Sequence, residues 1–312
     1  MSHYVRNCLL ILLSLLVLSS VDCGSLPAEK TEFPIQITDQ LGRTVGFTRI
    51  PERIVSLAPS NTEILFALGL ADKVVAVTDY CNYPPEAKEK ASIGGFSTPN
   101  IEKVVALSPD LVVATSIHQK QVIPNLEQRG ITVFALAPKT LDEVLEAITL
   151  VGEITGKEKE ASNLVREMRE RITAVTDKTS SLTEAQKPRV FYITWHDPLK
   201  TAGAGTLHDE LIQKAGGTNI ARNLTGYSGI TLEAVIDANP EVMIAGVGMG
   251  TGADAPLQFA VTEPRLRNTD ARQHNRVYAI DVDLVGRPGP RIVAALEQFA
   301  QYIHPELFKE AK

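Results

Sequence analysis

The chain has 312 residues, of which 44% are apolar and 22% charged, with a formal net charge of -6. That composition excludes disordered and fibrous classes, and the length admits two ordinary domains. No run of Lys and Arg supplies the basic footprint that a phosphate backbone requires, which excludes nucleic acid as a partner.

The chain opens with Arg6 in a short polar start, an apolar stretch over residues 8–18, then Ser19, Ser20, Val21, Asp22 and Cys23. A basic start, a short apolar middle and small residues make a secretory signal over residues 1–22. The competing reading is a buried amino-terminal helix; a membrane span would need about 20 apolar residues. With Cys8 lost in the signal, Cys81 has only Cys23 as an intrachain partner, which argues against a disulfide framework. Residues 23–49 read as a tether and amino-terminal extension, aperiodic around Pro27, Lys30 and Glu32.

Beyond residue 50 one architecture is written twice. Residues 100–114 (NIEKVVALSPDLVVA) align without a gap on residues 231–245 (TLEAVIDANPEVMIA), matching Glu102 with Glu233, Val104 with Val235 and Pro109 with Pro240. Asn100 and Thr231 suit helix N-caps. Pro109 and Pro240 end the helices, because the residue before a proline is pushed out of the helical region. The apolar runs 111–114 and 242–245 suit strands buried on both faces of a parallel sheet. Strands at 53–57 and 189–193 lead to helices at 63–69 and 210–216, and 131–136 matches 276–280. Strands alternating with helices at this spacing predict parallel α/β units.

Between the copies, Thr140 and Glu143 form a capping box and Thr155-Gly156 marks a break. From Lys157, Ala161, Leu164, Val165, Met168 and Ile172 recur at helical spacing. About 24 helical residues would span about 36 Å, enough to bridge two domains. The expected fold is α/β: two Rossmann-like lobes with parallel sheets, over residues 50–156 and 187–312, joined by one long interlobe α-helix within 157–186.

Several residues invite chemistry. Ser60 and Glu63 are spaced as a capping box in PSNTE, where a helix N-terminus could also meet ligand oxygens. Trp195, the single tryptophan, stands beside His196-Asp197-Pro198 and reads as a loop past a strand end, a place where open α/β sheets carry ligands. Tyr227, between Gly226 and Ser228-Gly229, is a similar case. The glycine-rich run 246–252 lacks the Lys-Ser or Lys-Thr and the helix of a nucleotide fingerprint and reads as a cleft-rim loop. The six histidines show no zinc spacing and there is no Gly-x-Ser-x-Gly elbow, so no catalytic residue is assigned.

Together RIVSLAPSNTE (53–63), YCNYPP (80–85) and residues 100–114 resemble the helical-backbone (class III) substrate-binding proteins of ABC importers for cobalamin, siderophores and haem. The resemblance runs from Arg53 to Ile303 and is nearest to the cobalamin-binding subfamily. It implies a non-enzymatic protein that holds cobalamin or a related corrinoid in the cleft as cargo, with no cofactor of its own. It implies as partners an ABC permease and its ATPase. On the ligand side it points to Pro59, Ser60, Asn61, Thr62, Tyr80, Phe96, Trp195, His196, Tyr227, Asp283, Leu284, Val285, Gly286 and Arg287. No metal is held directly, and His196 is the candidate contact to a ligand-borne metal. Glu102 and Glu233 match the docking glutamates of that family. The alternative is a first-turn carboxylate placed only by the helix dipole, worth about 0.3–1 kcal/mol. Cys23 looks like a lipid-modified lipoprotein cysteine, which implies an exported, extracytoplasmic protein attached to the membrane by a lipid anchor. Asp22 before Cys23, Leu284 and Thr115 depart from the family pattern. The competing functions are haem or ferric siderophore binding in the same family, a two-lobed metal-dependent enzyme, and a surface adhesin.

Overall fold

A computed structural model describes residues 32–248, 252 and 254–308. The signal, Cys23, the tether to residue 31, Met249, Gly250 and Thr251 of the glycine-rich run, and Ala253 after it lie outside the described residues. Among the described residues no helix is long and apolar enough to cross a membrane.

Part of the expected tether and extension belongs to the first lobe: residues 35–47 form a hairpin, β1 (Ile35–Thr38) and β2 (Thr44–Phe47), with Phe47 in the core and Asp39 bonded to Ala135 N. Then come β3 (Ile54–Ser56), α1 (Pro59–Ala67), β4 (Val74–Val77), β5 (Ala91–Ser92), α2 (Ile101–Ala106), β6 (Leu111–Ala114), α3 (Val122–Glu127) and β7 (Val133–Ala135). The sheet is ordered β5-β4-β3-β6-β7, parallel throughout. The strands are short and almost wholly apolar because helices cover both faces.

Two helices follow, α4 (Leu141–Thr155) and α5 (Glu158–Thr179). Thr140 caps α4 by accepting from Glu143 N, while the Glu143 carboxylate reaches back to Lys139 N rather than to the cap itself. Gly156 closes α4 at φ 66°, a left-handed conformation suited to glycine. A Cβ on Gly152 would sit 2.5 Å from Ala161 Cβ, so this glycine allows α4 and α5 to pack tightly. The buried stripe Ala161, Val165, Met168 and Val175 of α5 joins a core shared by both lobes, from Phe47 to Phe299.

The second lobe comprises β8 (Arg189–His196), β9 (Leu199–Ala202), α6 (Leu207–Lys214), β10 (Thr218–Asn219), β11 (Tyr227–Gly229), α7 (Leu232–Ala238) and β12 (Val242–Val247). It ends with α8 (Ala255–Thr262), α9 (Asp270–Gln273), β13 (Val277–Asp281), α10 (Val282–Val285), α11 (Ile292–Ile303) and α12 (Pro305–Phe308). Arg171 of α5 makes a two-point pair with Glu297 of α11, at 2.9 and 2.7 Å, tying the long helix to this lobe.

The internal repeat extends to register and hydrogen bonding. Ile54 pairs Leu111 as Val190 pairs Val242, and Val112 pairs Val133 as Met243 pairs Val277. Arg53 Nε donates to the carbonyls of Leu107 and Ser108; Arg189 Nε donates to those of Ala238 and Asn239. Ser108 and Asn239 both take positive φ, at 46° and 42°, to turn the carbonyls toward the arginine. Asp110 and Glu241 each accept the backbone N–H of that arginine.

Two expectations need correction. The second sheet, ordered β11-β9-β8-β12-β13, is not wholly parallel, because β8-β9 and β9-β11 pair antiparallel. Trp195 and His196 are therefore the end of an eight-residue strand in a hairpin, not a free loop. The alternation of Trp195-His196-Asp197-Pro198 with polar residues concealed a strand whose register shifts between Ile193 and Trp195.

Candidate functional site

In a parallel α/β sheet the loops at the carboxyl ends of the strands gather side chains on one edge. Here those edges of the two lobes meet. The contact is built around Glu63 in α1, which the sequence reading placed in a capping box. That box does not form: Ala58 is the N-cap, Pro59 opens the helix and no side chain caps it. Glu63 is instead buried and accepts from Arg291 Nε (2.9 Å) and Nη2 (2.6 Å), with Arg287 Nη1 at 3.4 Å. Arg291 also lies 4.0 Å over the Tyr83 ring. A buried carboxylate with two guanidinium partners is compensated, and it joins the lobes directly.

Arg287, expected to touch ligand, is spent on this seam. It donates to Asn82 Oδ1 (2.6 Å) and Tyr80 O (3.3 Å) and pairs with Asp283 at 2.6 Å. Asn82 Nδ2 in turn donates to Asp283 Oδ2 at 2.8 Å. Residues 282–285 form one helical turn, with Val285 in the core, Leu284 packed against it and Gly286 exposed. Asn61 and Thr62 are likewise buried rather than cleft-lining. Asn61 donates to the carbonyls of Val113 and Ala114, and Thr62 Oγ1 lies against Ser56, Ala58 O and Cys81 Sγ. They secure the loop behind half-buried Pro59 and Ser60.

The duplication recurs here. Glu210, at the position of α6 that matches Glu63 of α1, accepts from Leu141 N at 2.8 Å. Each lobe's first helix thus sends a glutamate to the start of a helix of the other lobe, α11 or α4.

Tyr80, Phe96 and Trp195 stand at these edges, whereas Tyr227 opens β11 opposite Ala202, level with the middle of β8 rather than with its end; each has a polar group behind it. Tyr80 follows β4 and is 59% exposed; Arg287 holds its carbonyl. Phe96 follows β5, half-buried, its ring edge-on to His118 at 5.7 Å. Trp195 donates from Nε1 to Asp197 O at 2.8 Å. Tyr227 is 60% exposed at the start of β11, its hydroxyl 2.9 Å from His208 Nδ1. Burial pushes the His208 imidazole down to about 4, so it is neutral and can accept the Tyr227 proton.

His196 differs from the other polar side chains. Its Nδ1 is buried without a hydrogen-bond partner, the sole such side-chain atom among the described residues. The ring lies between Trp195 (5.2 Å) and Phe259 of α8 (6.3 Å) and borders a hollow of about 560 Å³ reached by Asp254 and Gln258. A larger hollow of about 1550 Å³ lies on α4 and α5, away from the strand ends, with walls of mixed charge such as Glu153, Arg166, Arg169 and Glu170. No group of three or more His, Cys, Asp or Glu suited to a metal ion occurs among the described residues.

Glu102 and Glu233 occupy the first turns of α2 and α7, capped by Asn100 and Thr231. Both are exposed. Glu102 has no ion pair among the described residues, and Glu233 has only a loose one with Arg265 at 3.9 Å. The sequence reading missed Asn82, Tyr83, Arg291, His118, His208 and Phe259 as members of the site. A usable signal existed for one more residue, since Glu63 and Glu210 sit at matched positions of the repeat.

Comparison with known proteins agrees with this architecture. Residues 54–284 match the family described as periplasmic binding protein. The chain is 36% identical to an uncharacterized ABC transporter substrate-binding lipoprotein, YvrC of Bacillus subtilis, over 90% of each chain. Its fold matches the periplasmic vitamin B12 binding protein BtuF of Vibrio cholerae with TM-score 0.70 and 30% identity, over 83% of this chain and 99% of that one. It also matches the periplasmic heme-binding protein RhuT of Roseiflexus sp. RS-1 with TM-score 0.73 and 27% identity, over 82% and 99%. Two α/β lobes bridged by one long helix, and a sequence that matches from the first lobe to the second, identify the chain as a member of the periplasmic binding protein family, in its helical-backbone class of ABC-type solute-binding proteins.

Proposed function

We propose that this protein captures cobalamin or a related corrinoid between its lobes and delivers it to a membrane permease. The observation that carries the reading is the aromatic rings at the strand ends where the lobes meet, Tyr80 and Phe96 on one lobe and Trp195 on the other, with Tyr227 further along the second sheet. Tyr80 and Tyr227 expose more than half their surface, so their rings are open to a partner. With Phe96 and Trp195 they offer rigid faces to a large, flat guest at small cost in side-chain entropy. His196 Nδ1, still lacking a partner, would meet a polar arm or the metal of that guest. Glu102 and Glu233 would pair with permease arginines, and Cys23 would carry the lipid that keeps the protein at the membrane.

The unpartnered imidazole also favours a second reading, haem, whose iron takes such a ligand. Equilibrium dialysis against cyanocobalamin and against haemin separates the two. The expected result is a corrinoid Kd of 1 μM or tighter, about -8 kcal/mol, with haem weaker. No corrinoid binding alongside tight haem binding would replace the first reading with the second.

A further inference from the structure

His118 is fully buried in the turn after β6, and both ring nitrogens are engaged. Thr115 N lies 3.1 Å from Nδ1, and Phe96 O lies 2.7 Å from Nε2. A backbone N–H can only donate and a carbonyl can only accept. Nδ1 must therefore be the acceptor and Nε2 must carry the proton, which fixes one neutral tautomer. The same ring meets the Phe96 ring edge-on, with an interplanar angle of 79°. Phe96 itself sits on a short segment between β5 and α2, pinned at its ends by Asp79 N to Gly94 O and Asn100 N to Ile93 O. Between those pins, His118 is the side chain that grips the Phe96 backbone and supports its ring.

We propose that His118 is a positioning residue for ligand capture, holding Phe96 at the cleft edge only while its imidazole is neutral. This rests on the reading of the interlobe edge as the ligand site. A proton on Nδ1 would face the Thr115 N–H donor to donor, so protonation and the observed turn are incompatible. Burial lowers the readiness of His118 to protonate, the Phe96 carbonyl opposes that, and no charged side chain contributes. The other buried histidine facing a candidate ligand residue, His208, is pushed down to about 4 by burial, below the pH range of the binding test.

Two variants test the role. His118→Gln keeps an N–H for the Phe96 carbonyl and cannot titrate; His118→Leu keeps bulk and loses both bonds. Cyanocobalamin Kd is measured from pH 7.5 to 5.0, beside amide exchange of residues 93–98 in the ligand-free proteins. Wild type should weaken toward acid pH, while His118→Gln should hold its pH 7.5 affinity throughout. His118→Leu should bind about tenfold more weakly at every pH, the scale of one lost hydrogen bond. Exchange over 93–98 should quicken at least about tenfold in the Leu variant and stay unchanged in the Gln variant. Wild-type affinity in His118→Leu, or the wild-type acid profile in His118→Gln, would overturn the proposal. The exchange pattern without any corrinoid binding would keep the grip on Phe96 and overturn the ligand instead.

Discussion

The two lobes share a plan and differ at one edge. In the first, the strand after α1 is β4, four residues running beside β3. In the second, the strand after α6 is β10, cut to Thr218 and Asn219 and paired only with Arg189 and Val190. The rest of that edge of β8 is taken by β9, folded back through Asp197-Pro198. The inserted hairpin shortens the duplicated strand and carries Trp195 and His196 to the rim. The first lobe presents Tyr80 and Phe96 from connecting segments, held from behind by Arg287 and His118. Duplication thus supplied the frame, the seam and the two exposed glutamates, while divergence at one sheet edge gave each lobe a different rim.

The comparison can be broken at its shared parts first. If Glu102 and Glu233 act as an equivalent pair, the double alanine variant should lose transport in reconstituted vesicles down to background, with ligand Kd unchanged. A weakened Kd would show that they belong to the ligand site. The duplicated seam should prove unequal. Glu63→Gln leaves the Arg291 guanidinium without its carboxylate and should cost about 3 kcal/mol in urea unfolding. Glu210→Gln keeps a carbonyl for Leu141 N and should cost about 1 kcal/mol or less. Equal losses would mean that the two seams, and not only their sequence positions, are alike.

Much of the frame was legible because it obeys local rules. Asn100, Thr231, Pro109, Pro240 and Gly156 act where short-range chemistry places them, and the long apolar stripe of α5 shows its period. The site was less legible. Ser60 and Glu63 have the spacing of a capping box, yet the glutamate is drawn to Arg291, 228 positions away, by a charge that no local pattern announces. The family resemblance points to Arg287 as a ligand contact, but its partners Asn82 and Tyr80 come from the other lobe, beyond the reach of any local pattern. Asn61 and Thr62 look like free polar residues in sequence and are consumed by backbone and side-chain partners once β6 and Cys81 surround them.

Trp195 offers the most direct test of a guest gripped from both sides, because it is the single tryptophan in the chain. A corrin absorbs where indole emits, so titration with cyanocobalamin should quench the fluorescence saturably, at the Kd found by dialysis. In Tyr80→Ala, altered only on the opposite lobe, the same curve should shift about tenfold weaker, the scale of one lost aromatic contact. Bound corrinoid with undimmed emission, or a curve indifferent to Tyr80, would contradict capture between the lobes.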